Sequence, residues 1–407
     1  MLTLTYLASY MDRQVLSILI EDIGAEFHLD DVERGLLMGF AFALFYATLG
    51  VPVAFLADRA NRRNIIGAAI TVWSLATALC GAANGFWSLF FARMAVGVGE
   101  AGASPPAHSL ISDYFRKAEL TRALSVYSSG ISLGAIIGLL LGGILADIFN
   151  WRIAFVAVGL PGVLLAFLVF TTIREPERGR FVRETVPAKG RSSLGDDIRS
   201  LLTNRPYLGA LVAHTPAVVM GYVVVSWSAA IFARSFDLSR SEIAVLLASA
   251  TFFGGVPGMF AGGVLADLLG MRDPRWRGWV PAIANLIAAP LFVFAMHSGS
   301  ALGMTVWLGL GIFFYNIAFA PSFAIIQGVV APGERALASA IAFLLANLFG
   351  LGVGPTFAGW LSDALKDDLG IRSLNYSVMY MSVVLLVSAA GFLWTAKVLG
   401  EHPMEVE

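Results

Sequence analysis

Long apolar segments separated by short polar ones dominate the chain. A helix needs about 20 mostly apolar residues to cross the hydrocarbon core of a bilayer. At that length the pattern predicts twelve membrane-spanning helices. They are expected near residues 2–23, 35–57, 64–84, 86–113, 123–147, 153–173, 206–233, 243–267, 279–297, 300–330, 337–363 and 375–398. The prediction is therefore an all-α polytopic membrane protein.

The composition agrees with this pattern. Hydrophobic residues make up 57% of the 407 residues and charged residues 14%, against roughly 25% charged in soluble domains. A formal net charge of −1 gives no long-range attraction for a polyanion, so no nucleic-acid partner is expected. The single Cys80 excludes a disulfide within the chain.

The basic residues predict the orientation. With the N-terminus inside, 19 of the 27 Lys and Arg residues fall on the cytoplasmic side and six on the other. Cytoplasmic loops carry the excess of Lys and Arg in membrane proteins. We therefore expect both termini in the cytoplasm and the protein in a bacterial-type inner or plasma membrane.

A short phrase repeats at the ends of four predicted spans, each time closing on an aspartate. Asp58 and Asp267 are 209 residues apart, and Asp147 and Asp363 are 216 apart. This spacing predicts two six-helix halves, each a 3+3 inverted repeat, at 1–173 and 206–407. Residues 174–205 would form a cytoplasmic linker with a short surface helix near 194–202, and the chain would end in a short cytoplasmic tail.

The phrases carry a family resemblance. Residues 54–63 resemble the loop 2–3 signature of the major facilitator superfamily, G-x-L-A-D-R-x-G-R-R, and residues 263–272 repeat it. Residues 93–101 resemble the span 4 signature that starts with Arg, and Gly130, Gly134 and Gly138 resemble the glycine-rich signature of span 5. The resemblance implies the major facilitator fold, whose two halves rock around a midplane cavity.

The resemblance also implies an ion-pair network that closes the cytoplasmic side in one conformation. The candidates for this cytoplasmic gate are Asp58, Arg59, Arg62, Arg63, Asp267 and Arg272. The alternative is that these charges only end helices and anchor them by the positive-inside rule.

Four charged residues lie well inside predicted spans: Asp12, Arg13, Arg93 and Glu100. Each costs about 2.5 kcal/mol or more at the bilayer centre unless it is paired or hydrated. Predicted spans 7 to 12 contain no charged residue well inside them, so any function that depends on buried charges is assigned to spans 1 and 4. We interpret Asp12 and Glu100 as proton-coupling carboxylates with Arg13 and Arg93 as their charge partners. The alternative is a fixed structural ion-pair cluster.

The residues around these charges narrow the resemblance. Tyr10-Met11-Asp12-Arg13 in span 1 and Gly-Glu100-Ala in span 4 look like the spinster branch, whose members move lysophospholipids or sphingosine-1-phosphate-like amphiphiles. The resemblance implies that Asp12, Arg13 and Glu100 couple protons and face the headgroup. Asp-Arg in span 1 also occurs in symporters of sugar acids and aromatic acids, which leaves small organic anions as the alternative substrate.

The uncharged second half is suited to an acyl chain, because an apolar, aromatic-lined cavity with few polar groups binds such ligands. The candidate cavity residues are Tyr222, Phe314, Tyr315 and Asn316. The alternative is that they face lipid or pack between helices. His214 in span 7 could titrate near neutral pH or be a hydrogen-bonded structural histidine.

Enzyme motifs are absent from the sequence. There is no G-x-x-x-x-G-K-[ST] phosphate loop and no His/Cys cluster with metal-ligand spacing. We predict a secondary transporter without a cofactor, with protons as the coupling ion, that works as a monomer among membrane lipids on an amphiphilic small molecule. A receptor or sensor that kept the fold without transporting is the alternative from another class.

Overall fold

The computed structural model describes residues 1–57, 59–178, 194–331 and 334–401, and in these ranges the regular structure is helical. The α-helices of the first part of the chain are α1 (Leu2–Phe27), α2 (Asp31–Gly35), α3 (Ala41–Ala57), α4 (Arg62–Cys80), α5 (Phe86–Ala101), α6 (Ser104–Tyr114), α7 (Lys117–Ile148), α8 (Trp151–Thr172) and α9 (Leu194–Thr203). Those of the second part are α10 (Arg205–Ser235), α11 (Arg240–Gly270), α12 (Trp276–His297), α13 (Ala301–Gly328), α14 (Arg335–Leu345), α15 (Gly354–Ala364), α16 (Lys366–Leu369), α17 (Ser373–Met381) and α18 (Val384–Glu401).

In the described ranges, ten helical segments are long and apolar enough to cross a membrane. The two remaining predicted spans are those with the interior charges. Helix α1 has 26 residues but carries Asp12 and Arg13, and α5 has only 16 residues. The all-helical membrane fold is confirmed, and the count of twelve spans stays a prediction.

Several predicted spans are interrupted in the structure. Predicted span 4 is divided into α5 and α6, because Pro105 and Pro106 lack the N–H groups that would continue α5. A π-helical segment, Leu36–Phe40, joins α2 to α3, and another, Ala346–Val353, joins α14 to α15. The linker helix expected near 194–202 is confirmed as α9, whereas linker residues 179–193 lie outside the described ranges.

The chain divides into two compact units. Unit 1 comprises Met1–Ala188, Ser228–Ala248 and Pro355–Trp360. Unit 2 comprises Lys189–Trp227, Ser249–Gly354 and Leu361–Glu407.

In unit 1 the glycine stripe of α7 packs on the backbone of α1. A Cβ on Gly134 would collide with the carbonyl oxygen of Leu7, and one on Gly138 would lie 2.6 Å from the carbonyl oxygen of Met11. Small residues at every fourth position allow two helix backbones to approach closely. The stripe therefore fixes α1, and with it Asp12 and Arg13, against α7.

Glycines also allow close packing between helices at two places in unit 2. Gly254, Gly258 and Gly262 of α11 each bring that helix against carbonyl oxygens of α13. Gly350 faces Val218 and Tyr222 of α10, with a Cβ at that position 2.8 Å from Val218 Cγ1. Close backbone packing thus positions α10 and α13.

Candidate functional site

Glycines next to the charged residues explain how α5 reaches the centre of unit 1. A Cβ on Gly97 would collide with the carbonyl oxygen of Phe42 in α3, and one on Gly99 would lie 2.6 Å from the backbone nitrogen of Trp73 in α4. Only glycine allows this approach. It places Glu100, which is 1% exposed, beside α1.

Glu100 is held by three hydrogen bonds to one oxygen. Arg13 donates from Nε at 2.9 Å and from Nη2 at 2.6 Å to Oε2 of Glu100, and the Ser9 hydroxyl donates to the same atom at 2.6 Å. The second oxygen, Oε1, is buried and has no hydrogen-bond partner. The carboxylate is therefore anchored at one oxygen and open at the other.

Aromatic rings enclose the Arg13 guanidinium. Its Cζ lies 4.8 Å from the ring centre of Tyr10, 4.6 Å from that of Phe42 and 4.6 Å from that of Tyr46. Cations are attracted to aromatic faces at such distances, and more strongly where water is excluded. The three rings therefore stabilise the positive charge of Arg13 and leave its ion pair with Glu100 in place.

Asp12 and Arg93 are buried but differently partnered. Asp12 is 2% exposed and accepts a hydrogen bond at Oδ2 from the Thr77 hydroxyl of α4 at 2.9 Å. Arg93 is also 2% exposed, and its Nε has no hydrogen-bond partner. The Cζ atom of Arg93 lies 5.4 Å from the ring centre of Phe42. Neither forms an ion pair within 4 Å in the described part of the chain.

The structure thus brings the four predicted interior charges together in unit 1, where they interact electrostatically. Among these four residues, Arg13 forms an ion pair with Glu100. Ser9 and Thr77 were missed by the sequence analysis, because neutral hydroxyls on apolar helices do not stand out in a sequence. The roles of the four charged residues in proton coupling stay predictions.

The predicted gate contains one buried ion-pair centre, which we call the Arg62 cluster (Arg62, Ser109, Asp113 and Glu175). Arg62 is 1% exposed; it donates from Nη1 to Asp113 at 2.5 Å and from Nε to Glu175 at 2.7 Å. Ser109 also accepts from Nη1. The sequence analysis missed these three partners.

The other gate candidates are placed differently. Arg59 is exposed, and Arg63 is partly buried, with Nε donating to the side chain of Asn64. In unit 2, Asp267 and Arg272 are exposed and form no ion pair in the described part of the chain. Asp58 lies outside the described residues.

A second ion-pair group in unit 1, the Glu21 cluster (Glu21, Asp31, Arg34 and Arg234), was not predicted. Arg234 of α10 donates to both oxygens of Asp31, at 2.5 and 2.8 Å, and to Glu21 at 2.8 and 3.1 Å. Arg34 donates to the same two carboxylates at 3.1 and 3.2 Å. Two arginines thus share two carboxylates.

Two further contacts lie beside the Glu21 cluster in unit 1. Arg240 forms a two-pronged ion pair with Asp22, at 2.5 and 2.9 Å. Asp147, the aspartate of a repeated phrase, accepts hydrogen bonds from the backbone N–H groups of Arg240 and Ser241 at the start of α11. Carboxylates are favourable at this position because the N–H groups of a first helical turn lack partners.

The candidate cavity residues lie in unit 2. The Tyr315 hydroxyl lies against Gly221, which adjoins Tyr222 in α10. The Phe314 ring is packed edge-on against Phe313, and Asn316 donates to the carbonyl oxygen of Ile312. All four candidates are partly buried, and their role in a cavity stays a prediction.

Long apolar helices that enclose a small buried charged site are typical of membrane proteins that move ions or polar solutes. A family model described as Major Facilitator Superfamily matches residues 2–355. The chain belongs to the major facilitator superfamily and is an integral membrane protein.

Three relatives and one solved structure are similar to this chain over most of its length. An "MFS-type efflux pump" of Mycolicibacterium smegmatis is 33% identical, over 95% of this chain and 89% of its own length. "Protein spinster homolog 1" of Homo sapiens is 29% identical (96% and 78%), and "Sphingosine-1-phosphate transporter SPNS2" of Danio rerio is 28% identical (95% and 81%). A bacterial homologue of the human lysosomal transporter Spinster, crystallised inward-facing and unoccupied, is 28% identical with a TM-score of 0.88, covering 97% and 95%. The resemblance to the spinster branch is confirmed.

Proposed function

We propose that the protein is a proton-coupled secondary transporter of lysophospholipids or sphingosine-1-phosphate-like amphiphiles that works by alternating access. The supporting observation is the unequal pairing of its four buried charges. Arg13 and Glu100 form an ion pair, while Asp12 and Arg93 form none in the described part of the chain. A buried charge without an oppositely charged partner costs free energy, so binding a proton or a counter-charge during the transport cycle would stabilise each of these residues.

Protons and a headgroup are the partners that fit these residues. Uptake of a proton by Asp12 removes the cost of its buried negative charge, and the open oxygen of Glu100 provides a second protonation site. Arg93 is suited to an anionic headgroup, since a guanidinium binds phosphate with directed donors. No resident cofactor is needed, and the coupling ion is the proton.

The remaining features follow from the same proposal. Residues 1–173 and 206–407 act as two six-helix halves joined by 174–205, with both termini in the cytoplasm. The Arg62 cluster belongs to the cytoplasmic gate, and Tyr222, Phe314, Tyr315 and Asn316 contact the acyl chain. The protein works as a monomer in a bacterial inner membrane or a plasma membrane.

Proteoliposomes test the transport proposal. Radiolabelled lysophosphatidylethanolamine is placed in both leaflets, a pH gradient is imposed, and the lipid is extracted from the outer surface with albumin. The proposal expects extraction beyond the outer-leaflet share, faster with the gradient than after a protonophore. Equal rates with and without the gradient would exclude proton coupling.

Two variants test the proton sites. Asp12→Asn and Glu100→Gln should each abolish the response to the gradient. Glu26→Gln is the matched control, because Glu26 is an exposed carboxylate on α1, the helix that carries Asp12. Wild-type pH dependence in both buried variants would show that these carboxylates are not the proton sites.

A second candidate is proton-coupled export of other amphiphiles. It is supported by the efflux pump of Mycolicibacterium smegmatis, which has the highest identity among the relatives above. Thermal shifts with lysophospholipids, single-chain cationic amphiphiles and sugar acids separate the candidates. Stabilisation by cationic amphiphiles alone favours this export, and stabilisation by sugar acids alone favours a small-anion symporter.

A further inference from the structure

His214 is a buried titratable residue of unit 2 that the proton-coupling proposal does not use. It lies in α10 and is 1% exposed. Its Nδ1 lies 3.0 Å from the hydroxyl oxygen of Ser322 in α13. The ring of Phe323 packs edge-on against the imidazole at a centroid distance of 4.7 Å, and Phe319 lies on another side.

The hydrogen bonds of Ser322 determine which imidazole nitrogen carries the proton. The Ser322 hydroxyl donates its single proton to the carbonyl oxygen of Phe319 at 2.6 Å. Toward His214 it must therefore accept, so Nδ1 of the neutral imidazole carries the hydrogen. The other nitrogen, Nε2, then holds an unshared electron pair.

Nε2 of His214 is buried and has no hydrogen-bond partner. Buried polar atoms normally have one, so Nε2 is available to accept a hydrogen bond from a further donor. Within the described residues, no ion pair or hydrogen bond joins the imidazole to a charged side chain. Apart from Arg205 and Arg234 at the two ends of α10, α10 and α13 carry no Asp, Glu, Lys or Arg. An ammonium donor would be left without a counter-charge there, whereas a hydroxyl needs none.

Each helix contains a proline beside this contact and continues through it. Pro216 follows His214 by two residues, and Pro321 precedes Ser322. Proline has no N–H, so each removes one hydrogen bond of its helix. In transporters, apolar segments that contain Gly or Pro at corresponding positions of a repeat point to the substrate site. Here α10 and α13 are the spans 7 and 10 that correspond to spans 1 and 4.

We infer that Nε2 of His214 accepts a hydrogen bond from a hydroxyl group of the transported amphiphile. In a lysophospholipid this is the glycerol hydroxyl that the missing acyl chain leaves free. The inference rests on the proposed transport function and adds a reason for lipids with one chain to be preferred. His214 is then a specificity-determining residue in the uncharged part of the protein.

Two substitutions separate this role from a structural one. The amide of His214→Asn can replace Nδ1 and keep the bond to Ser322, but it supplies nothing at Nε2. The longer side chain of His214→Gln brings a carbonyl oxygen near the Nε2 position and loses the bond to Ser322. A structural role predicts that Asn preserves binding and Gln does not, and substrate recognition predicts the reverse.

The measurement compares lysophosphatidylethanolamine with its analogue that has hydrogen in place of the glycerol hydroxyl. Wild-type protein in detergent should bind the hydroxyl form about tenfold more tightly, as expected for one buried hydrogen bond. His214→Asn should bind both forms equally, at the wild-type affinity for the analogue. His214→Gln should keep most of the preference. If His214→Asn does not fold, His214→Phe provides the test, because it fills the ring volume without Nε2.

Each other outcome overturns the inference. A wild-type protein that binds both lipids equally overturns it alone, as does a preference for the hydroxyl form that His214→Asn or His214→Phe retains. A wild-type protein that binds no lysophospholipid overturns the transport proposal together with it. The two failures are therefore distinguishable in one titration series.

Discussion

Arg13 and Glu100 meet through a single carboxylate oxygen. Both donors of the guanidinium point at Oε2, at 2.9 and 2.6 Å, while Oε1 stays buried without a partner. A two-oxygen ion pair would have to break before the carboxylate could be protonated. Here a proton can bind at Oε1 while the contact to Arg13 is still in place.

The same geometry predicts unequal stability losses for the two buried carboxylates. Glu100→Gln leaves the Arg13 cation without its anion, which costs about 3–5 kcal/mol for a buried pair. Asp12→Asn removes no ion pair and keeps an oxygen for the Thr77 hydroxyl, so its cost should stay below about 1 kcal/mol. Thermal unfolding in one detergent compares them. Equal losses would mean that the Arg13 contact contributes little.

The glycine stripe of α7 predicts a steric effect. In Gly138→Ala the new Cβ would lie 2.6 and 2.8 Å from the backbone oxygen and Cα of Met11, atoms that cannot rotate away. Overpacking of this kind costs about 1–3 kcal/mol. Gly255→Ala in α11 is the control, because its Cβ would meet nothing within 4 Å, and it should be neutral or stabilising. A melting temperature of Gly138→Ala at or above that of the control would contradict the close packing.

The Arg62 cluster predicts a contrast between neighbouring arginines. Arg62→Gln removes a buried cation from two carboxylates and should lower the unfolding free energy by about 3–5 kcal/mol. Arg59→Gln changes an exposed side chain and should stay within about 0.5 kcal/mol. Chemical unfolding of the two purified variants measures the difference. A large loss for Arg59→Gln would assign Arg59 a contact that the structure does not contain.

The Glu21 cluster predicts a salt-dependent contribution. Arg234→Gln removes one of the two arginines that pair with Glu21 and Asp31, and the excess negative charge should lower stability by about 2–4 kcal/mol. The exposed pair of Arg152 with Glu26 is the control, and Arg152→Gln should cost at most about 1 kcal/mol. Melting temperatures at low and high salt test both. Added salt should narrow the deficit of Arg234→Gln, and a deficit equal to that of Arg152→Gln would remove the special role of the cluster.

Glu26 predicts a pH effect at the end of α1, beyond the predicted span. Arg152 and Trp151 each donate to its carboxylate at 2.7 Å, and these bonds lower the pKa of Glu26 below its usual 4.5. A lowered pKa stabilises the protein above pH 4.5, and this contribution disappears as the pH falls through the lowered value. In Glu26→Gln the difference from wild type should therefore be present at pH 6 and vanish in acid. A difference that grows in acid would contradict the sign.

The sequence predicted those parts of the structure that depend on local pattern. The length of the apolar segments predicted the long helices, and the short surface helix expected near 194–202 is α9. The four interior charges stood out because charge is rare in membrane helices, and the structure places them together. The break between α5 and α6 was missed, although Pro105 and Pro106 mark it.

The contacts that the sequence could not predict join distant residues. Glu21 and Arg234 are 213 positions apart, and each resembles an ordinary charge near a helix end. Arg93 forms no ion pair in the described part of the chain, because spacing along one helix does not determine which neighbour reaches a side chain, and its role as a charge partner stays a prediction. The position of the imidazole proton of His214 depends on the hydrogen bond of Ser322 to Phe319, which residue types alone do not determine.

The two helices excluded from the ten apolar segments also raise a question of biosynthesis. An aspartate or arginine at the centre of a helix costs about 2.5–3.5 kcal/mol on entering the bilayer from the translocon. Helix α1 carries both, and it precedes in the chain the helix whose glycines pack on it. We expect its stable insertion to depend on α7, whose glycine stripe is made more than 100 residues later. The order of synthesis therefore exposes the charged site to the membrane before the helix that secures it exists.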